Sequence, residues 1–328
     1  MTIINNTESL QAGIQSALME TWRQDYPVYA EQQKVFLHYL PYTNIRSADY
    51  SFKNRIPFPL PYPYGDNRIH QSFKDVKITV KIFPYQMTIG WDERDAADDQ
   101  MADLKIHVSQ SAKRFLQLPD VLIGEYLGGT AVYNYSGLLN ASDGVGLYST
   151  VDGDGAARFG VTGGNVITGQ GVNTTAKIHN DIINCRRRFL QMTEPVVGQP
   201  LHDPDNVMYN RMCFVVPPQL DGVFNQLSDQ DLIYSDPTIN TAQSNFLKSK
   251  IKYKVNQRLA DTNDWFVVLE SGFWKPFAYR APQTLRQLFA TMQNSDISRE
   301  TMQELVYADL RIGISPWCPW TTIQVSNS

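Results

Sequence analysis

Cysteine is scarce in this chain, and its three residues, Cys185, Cys213 and Cys318, are odd in number and far apart. That spacing argues against a disulfide framework and for free thiols kept in a reducing cytosol. Long apolar runs are also missing: none approaches the ~18 residues that a membrane span needs. Met1 to Asn6 shows no charged region leading into an apolar one, so no signal peptide is expected. Runs of five like charges do not occur, and the balance of 29 basic against 33 acidic residues gives a net charge of -4. Neither a nucleic-acid groove nor a polybasic membrane patch is advertised, although a protein that merely encloses nucleic acid could carry such a surface.

Signatures of catalysis are absent as well. Gly164 and Gly169 have the spacing of a P-loop, but Gln170 stands where the phosphate-binding Lys belongs, and Gly169-Gln170-Gly171 lacks the third glycine of a dinucleotide fingerprint. Asp152-Gly153-Asp154-Gly155 resembles half of a calcium loop, yet Ala156 and Gly163 occupy two ligand positions, so turn chemistry is the simpler account. His38, His70, His107, His179 and His202 are scattered, none in HExxH or beside a cysteine pair, and no GxSxG elbow occurs. No enzyme, cofactor or metal site is expected.

What is present is 42% hydrophobic residues in a chain long enough for one or two packed domains. The stretch from Phe73 to Leu118 organises it. Val76, Ile78, Val80 and Ile82 alternate with Lys77, Thr79 and Lys81 as a half-buried strand does, and a short extended run follows from Met87 to Trp91. The acidic cluster Asp92, Glu93, Asp95, Asp98, Asp99 then precedes Met101, Leu104, Val108, Ala112 and Phe115 on one helical face. Negative charge suits a helix start, so electrostatics explains the cluster better than a metal does.

Two pieces before this spine cannot bury themselves. Residues 8 to 24 form a short amphipathic helix through Leu10, Ile14, Leu18 and Trp22, followed by Tyr26, Tyr29, Phe36 and Leu37 in a segment too short for its own core. It packs either on the main body or, as an arm, on a neighbouring subunit. From Ile56 to Tyr64 a proline stands at every second position, which confines the strip Phe58, Leu60, Tyr62 to an extended ribbon. A partner's surface is the economical resting place for it.

After the spine, Pro119 should break the helix, with a second helical piece running to Leu127. Ten of the twenty glycines fall between 137 and 171, which marks loop and turn. A helix over Thr174 to Gln191, strands at Cys213–Val216, Ile251–Val255 and Trp265–Leu269, a helix opened by Pro217-Pro218, another near Ser298 to Glu304, and an extended end from Tyr307 to Val325 complete a mixed α+β reading. The aromatic content of 12% also allows an alternative, a carbohydrate-binding or carbohydrate-active protein.

The order of these features resembles a known family, the major head subunit of phage Mu and its relatives, built on the Hong Kong 97-type capsid fold. The resemblance covers roughly residues 35 to 325. It is carried by the strand leading to Asp98-Asp99-Gln100 at the spine-helix head, Asp143-Gly144 with Leu147-Tyr148-Ser149, and Phe214-Val215-Val216-Pro217-Pro218-Gln219-Leu220. Trp265 to Leu269 with Lys275-Pro276-Phe277, and Asp309 to Gly313 with Trp317 and Trp320, complete it. It implies an N-terminal arm (1–44), an extended loop (45–75), a peripheral domain with the spine helix (76–134), an axial domain (135–260) and a return to the peripheral domain (261–328).

By this resemblance the chain is a structural head protein of the virion, assembled in the host cytoplasm. Its copies would form hexamers and pentamers of an icosahedral shell that encloses double-stranded DNA without sequence-specific binding, together with a portal and scaffold or decoration proteins, and without a membrane. Inter-subunit contacts are expected at Trp22, Tyr26 and Phe36 of the arm, at Phe58, Leu60 and Tyr62 of the ribbon, and at Asp98 and Asp99 of the helix head.

Overall fold

A computed structural model describes residues 4–40, 47–53, 75–92, 101–134, 137–172, 174–194, 198–236, 239–259, 261–270, 272, 274–288 and 303–327. In chain order the elements are α1 (Ile4–Gln33), β1 (Leu37–Tyr39), β2 (Ser47–Lys53), β3 (Asp75–Lys81), β4 (Phe83–Asp92), α2 (Met101–Gly128), β5 (Val166–Thr168), α3 (Thr175–Gln191), β6 (Met212–Val216) and α4 (Asp221–Asp229). They continue with β7 (Leu232–Asp236), β8 (Ile239–Ser244), β9 (Lys252–Val255), β10 (Trp265–Leu269), β11 (Phe277–Leu288), β12 (Gln303–Pro316) and β13 (Thr322–Ser326).

The strands form a four-stranded sheet ordered β1-β11-β12-β4, a five-stranded sheet ordered β5-β13-β10-β6-β9, and two hairpins, β2-β3 and β7-β8. The five-stranded sheet is buried on both faces, which is why β6 and β10 read as unbroken apolar runs. Their alternate side chains serve separate cores. Val215, Phe266 and Val268 join α2 and the four-stranded sheet in one cluster. Phe214, Trp265 and Val267 join α3 and α4 in the other.

Three sequence expectations are corrected. The first helix starts at Ile4 rather than at residue 8 and extends beyond Gln24 to Gln33, because its later turns lie along α2, where Gln33 Nε2 donates to the Leu116 carbonyl at 3.3 Å. Pro119 does not end the spine helix; α2 runs through it to Gly128. A proline inside a helix costs roughly 3 kcal/mol. Here the turns on both sides, with Phe115, Leu116, Leu122 and Ile123, are buried in one core, and their burial outweighs that cost. Gln33 also supplies a donor within the turn that Pro119 disturbs. Third, Gln303 and Glu304 belong to a strand, paired with Asp92 and Trp91, so the ladder with β4 overrides the local helical pattern there. The rest of that expected helix lies outside the described residues.

Elsewhere the pattern reading holds. Ile78, Val80 and Ile82 are buried while Thr79 and Lys81 are exposed. Cys185, Cys213 and Cys318 are free and buried, and burial pushes the Cys213 thiol up to about 12. The stretch 261–328 divides between both sheets: β11 and β12 join β4 in the four-stranded sheet, with β12 paired to it, whereas β10 and β13 complete the five-stranded sheet beside β6. The crossing is made at the turn holding Trp317 and Trp320, against which Trp274 packs at ring distances of 5.4 and 6.3 Å.

Candidate functional site

The glycine-rich loop is tied down by a buried arginine. Arg158 donates to both Asp143 oxygens, and its Nη1 reaches the Leu147 carbonyl at 2.9 Å and Asn165 Oδ1 at 3.0 Å. Asn165 in turn donates through Nδ2 to the carbonyls of Leu147 and Pro319, joining the loop to the C-terminal turn. The glycines that suggested a phosphate cradle do packing work: a Cβ at Gly169 would overlap Asn327, and Gly164, with a φ of +56°, sits against the Ser149 carbonyl. Asp152 Oδ1 accepts from the amides of Asp154 and Ala156, the local turn bonds of an Asx loop.

The interior titratable groups are held apart. His202 donates from Nε2 to the Trp320 carbonyl at 2.9 Å, and burial lowers its pKa to about 4. His179 packs on Phe246, with burial lowering its pKa, while burial raises that of Asp181, whose Oδ2 accepts from the Gln170 amide. Among the described residues no three His, Cys, Asp or Glu side chains gather at a metal-binding spacing. No described nucleophile, base and orienting acid stand in a chain of contacts. Four of the six tryptophans, Trp22, Trp265, Trp317 and Trp320, are buried rather than displayed as a sugar-binding platform would need.

Surface rather than cleft chemistry is what the described residues offer. Of the expected contact residues, Trp22 and Phe36 point inward, packed with Phe115 and Leu116 of α2. Tyr26 stacks on Trp22 at 5.4 Å and stays 41% exposed, beside exposed Val28. Phe58, Leu60, Tyr62, Asp98 and Asp99 lie outside the described residues. The strip from 54 to 74 nevertheless has a defined root, because Lys53 and Asp75 are opposite each other in the β2-β3 ladder. Its two ends therefore leave and re-enter at one point. The other end of that ladder, where Lys81 pairs with Ser47, is seated on the body: Gly313 of β12 lets the Lys81 carbonyl approach closer than any side chain would allow.

Sequence reading missed a second surface. Glu125, buried in α2, accepts from the amides of Val132, Tyr133 and Asn134 and from the Asn134 side chain at 2.9 Å. This carboxylate holds the segment after the spine helix so that Val132 is 75% and Tyr133 46% exposed. Tyr133 edges a cleft of about 450 Å³ between β4 and α2. A lone Glu in a helix gave no sequence signal for this; only the folded path brings three amides to it.

Several solved capsid structures share this architecture. The capsid of an empty GTA particle aligns with a TM-score of 0.58 at 12% identity, over 90% of this chain and 89% of that one. The mature capsid of bacteriophage PhiM1 gives 0.53 at 12% identity, over 90% and 86%. A virus-like particle from Pyrococcus furiosus gives 0.51 at 11% identity, over 98% and 100%. The chain thus has the α+β, Hong Kong 97-type phage capsid fold, and these neighbours are shells, not enzymes. No family model and no curated protein matches the sequence.

Proposed function

We propose that this chain is the repeating subunit of a phage head, a major capsid protein of the Mu major-head-subunit type. Its copies assemble as hexamers and pentamers of an icosahedral shell around double-stranded DNA, in the virion, after assembly in the host cytoplasm. The observation that carries this reading is the shared fold over about nine-tenths of both chains with three shell subunits. Heterologous contacts between such subunits close into rings, and many weak contacts per subunit give the shell its strength. A portal and scaffold or decoration proteins are the partners that a closed, filled shell requires. The net charge of -4 fits a wall that encloses DNA without gripping it.

The domain assignment goes with this reading: arm to 44, extended loop to 75, peripheral domain to 134, axial domain to 260, and a return to the peripheral domain thereafter. Tyr26, the strip with Phe58, Leu60 and Tyr62, and the acidic pair Asp98 and Asp99 are assigned to contacts between copies. Trp22 acts from within, by seating α1 on α2, and Phe36, between α1 and β1, by filling the same core.

Electron microscopy of the purified protein tests the reading, with shells, rings or sheets as the expected result; a monodisperse monomer under every assembly condition would overturn it. Phe58→Asp, Leu60→Asp and Tyr62→Asp should each block assembly while the subunit's melting temperature stays put. Equal loss of both would make the strip ordinary core.

A further inference from the structure

The cleft between β4 and α2 is floored by Tyr85, Phe115, Leu118 and Val121, and two guanidinium groups line it, those of Arg114 and Arg258. Among the described residues no Asp or Glu lines it. Among the described residues Arg114 donates only to Gln117, at 3.3 Å, and the Arg258 guanidinium has no partner. Both arginines are exposed. Arg258 is placed there by Gly124, which leaves room on the helix face for the Arg258 Cβ. The Tyr85 hydroxyl fixes the opposite wall by donating to the Tyr133 carbonyl at 3.1 Å. An apolar floor under two underused cations suits an acidic chain segment with apolar residues interspersed.

The chain itself contains one such segment. Residues 92–99 hold Asp92, Glu93, Asp95, Asp98 and Asp99 around Ala96 and Ala97, directly behind Trp91. Within one chain the segment cannot serve both arginines. It joins the end of β4 to the start of α2, and Gly124, against which Arg258 packs, lies 23 residues along α2 from Met101, about 35 Å at 1.5 Å per residue. Asp95, Asp98 and Asp99, two to six residues ahead of Met101, extend about 20 Å at most, short of Arg258 even with both side chains stretched. Engaging both arginines at once therefore takes a second copy.

We propose that this cleft receives the acidic segment 92–99 of a second copy, an inference that rests on the shell-subunit reading. Cleft and segment are different patches of one chain, so the contact is head-to-tail and repeats around a ring instead of pairing two copies and stopping. Salt weakens it, because both arginines are exposed to solvent.

The test uses the full-length protein and follows assembly by light scattering and electron microscopy, with circular dichroism melts to confirm folding. R114E/R258E should raise the critical concentration for assembly by roughly tenfold or more, as loss of a contact repeated at every subunit does. D95K/D98K/D99K should do the same, and the neutral D95N/D98N/D99N should give a smaller rise in the same direction. Combining the two reversals in one chain restores opposite charges across every contact and should recover assembly, and mixing the two variants restores them between unlike copies. R114E/R258E assembling like the parent overturns the docking. So does loss without recovery in the combined chain, which would mean that the cleft takes the strip 54–74 or another partner. Failure of the parent chain to assemble at all sinks the shell reading itself, and this docking with it.

Discussion

The Asp143 carboxylate takes two parallel hydrogen bonds from the fully buried Arg158 guanidinium, at 2.7 and 2.9 Å. Bidentate geometry is strong and directional. The Asp-Gly turn and the glycine-rich loop are thereby one unit. Asp143→Ala leaves a buried cation without its counter-charge and should cost about 3 kcal/mol in denaturant unfolding. Arg158→Lys should not rescue the loop, because a point charge cannot serve Asp143, Leu147 and Asn165 together.

Gly313 makes a sharper test of how the β2-β3 hairpin is seated on β12. A Cβ there would meet the Lys81 carbonyl and Val80 Cγ1, and the carbonyl cannot retreat while β3 is paired along its length with β2. Gly313→Ala should cost roughly 1–3 kcal/mol by overpacking and speed amide exchange across β2 and β3. Gly222→Ala, at an open position in α4, is the control and should be neutral or stabilising by up to about 1 kcal/mol.

Trp22 and Tyr26 stack on each other yet should behave oppositely. Trp22→Ala empties a core site and should lower stability by about 3–5 kcal/mol. Tyr26→Ser, at an exposed position, should change subunit stability by less than about 1 kcal/mol while weakening assembly. Deleting residues 1–40 removes Leu18, Trp22, Phe36 and Leu37 from the core, so the truncated subunit should melt at lower temperature rather than remain an armless but sound fold.

His202 sets an acid limit. Burial lowers its pKa from 6.5 to about 4, so the folded protein keeps the ring neutral where the unfolded chain takes up a proton. Stability from this group is intact above pH 6.5 and is lost as pH falls from there to about 4, by up to about 3 kcal/mol. His202→Gln, which retains a donor for the Trp320 carbonyl, should flatten that part of the stability profile measured by denaturation across the pH range.

The elements easiest to read in the sequence were those whose burial is settled by local pattern. The alternation through Ile78, Val80 and Ile82, the apolar runs of β6 and β10 and the face of α3 needed only the periods of strand and helix. The Asp143-Gly144 turn was visible too, though its partner Arg158 was not, since nothing in spacing pairs a carboxylate with a guanidinium fifteen residues on. Pattern failed where a distant surface decides. Pro119 sits in an unbroken helix because both flanking turns share one core, and Gln303 and Glu304 are strand because β4 lies beside them.

By itself, then, the sequence determined the alternation of strand and helix, the mixed α+β class and the loop character of 137–171, consequences of side-chain period and backbone restriction. Only tertiary structure decided that Trp22 and Phe36 face inward while Tyr26 does not, that Glu125 presents Val132 and Tyr133, and that Arg114 and Arg258 meet across one cleft. Those outcomes depend on contacts between residues far apart in the chain, whose closure energy no local window contains.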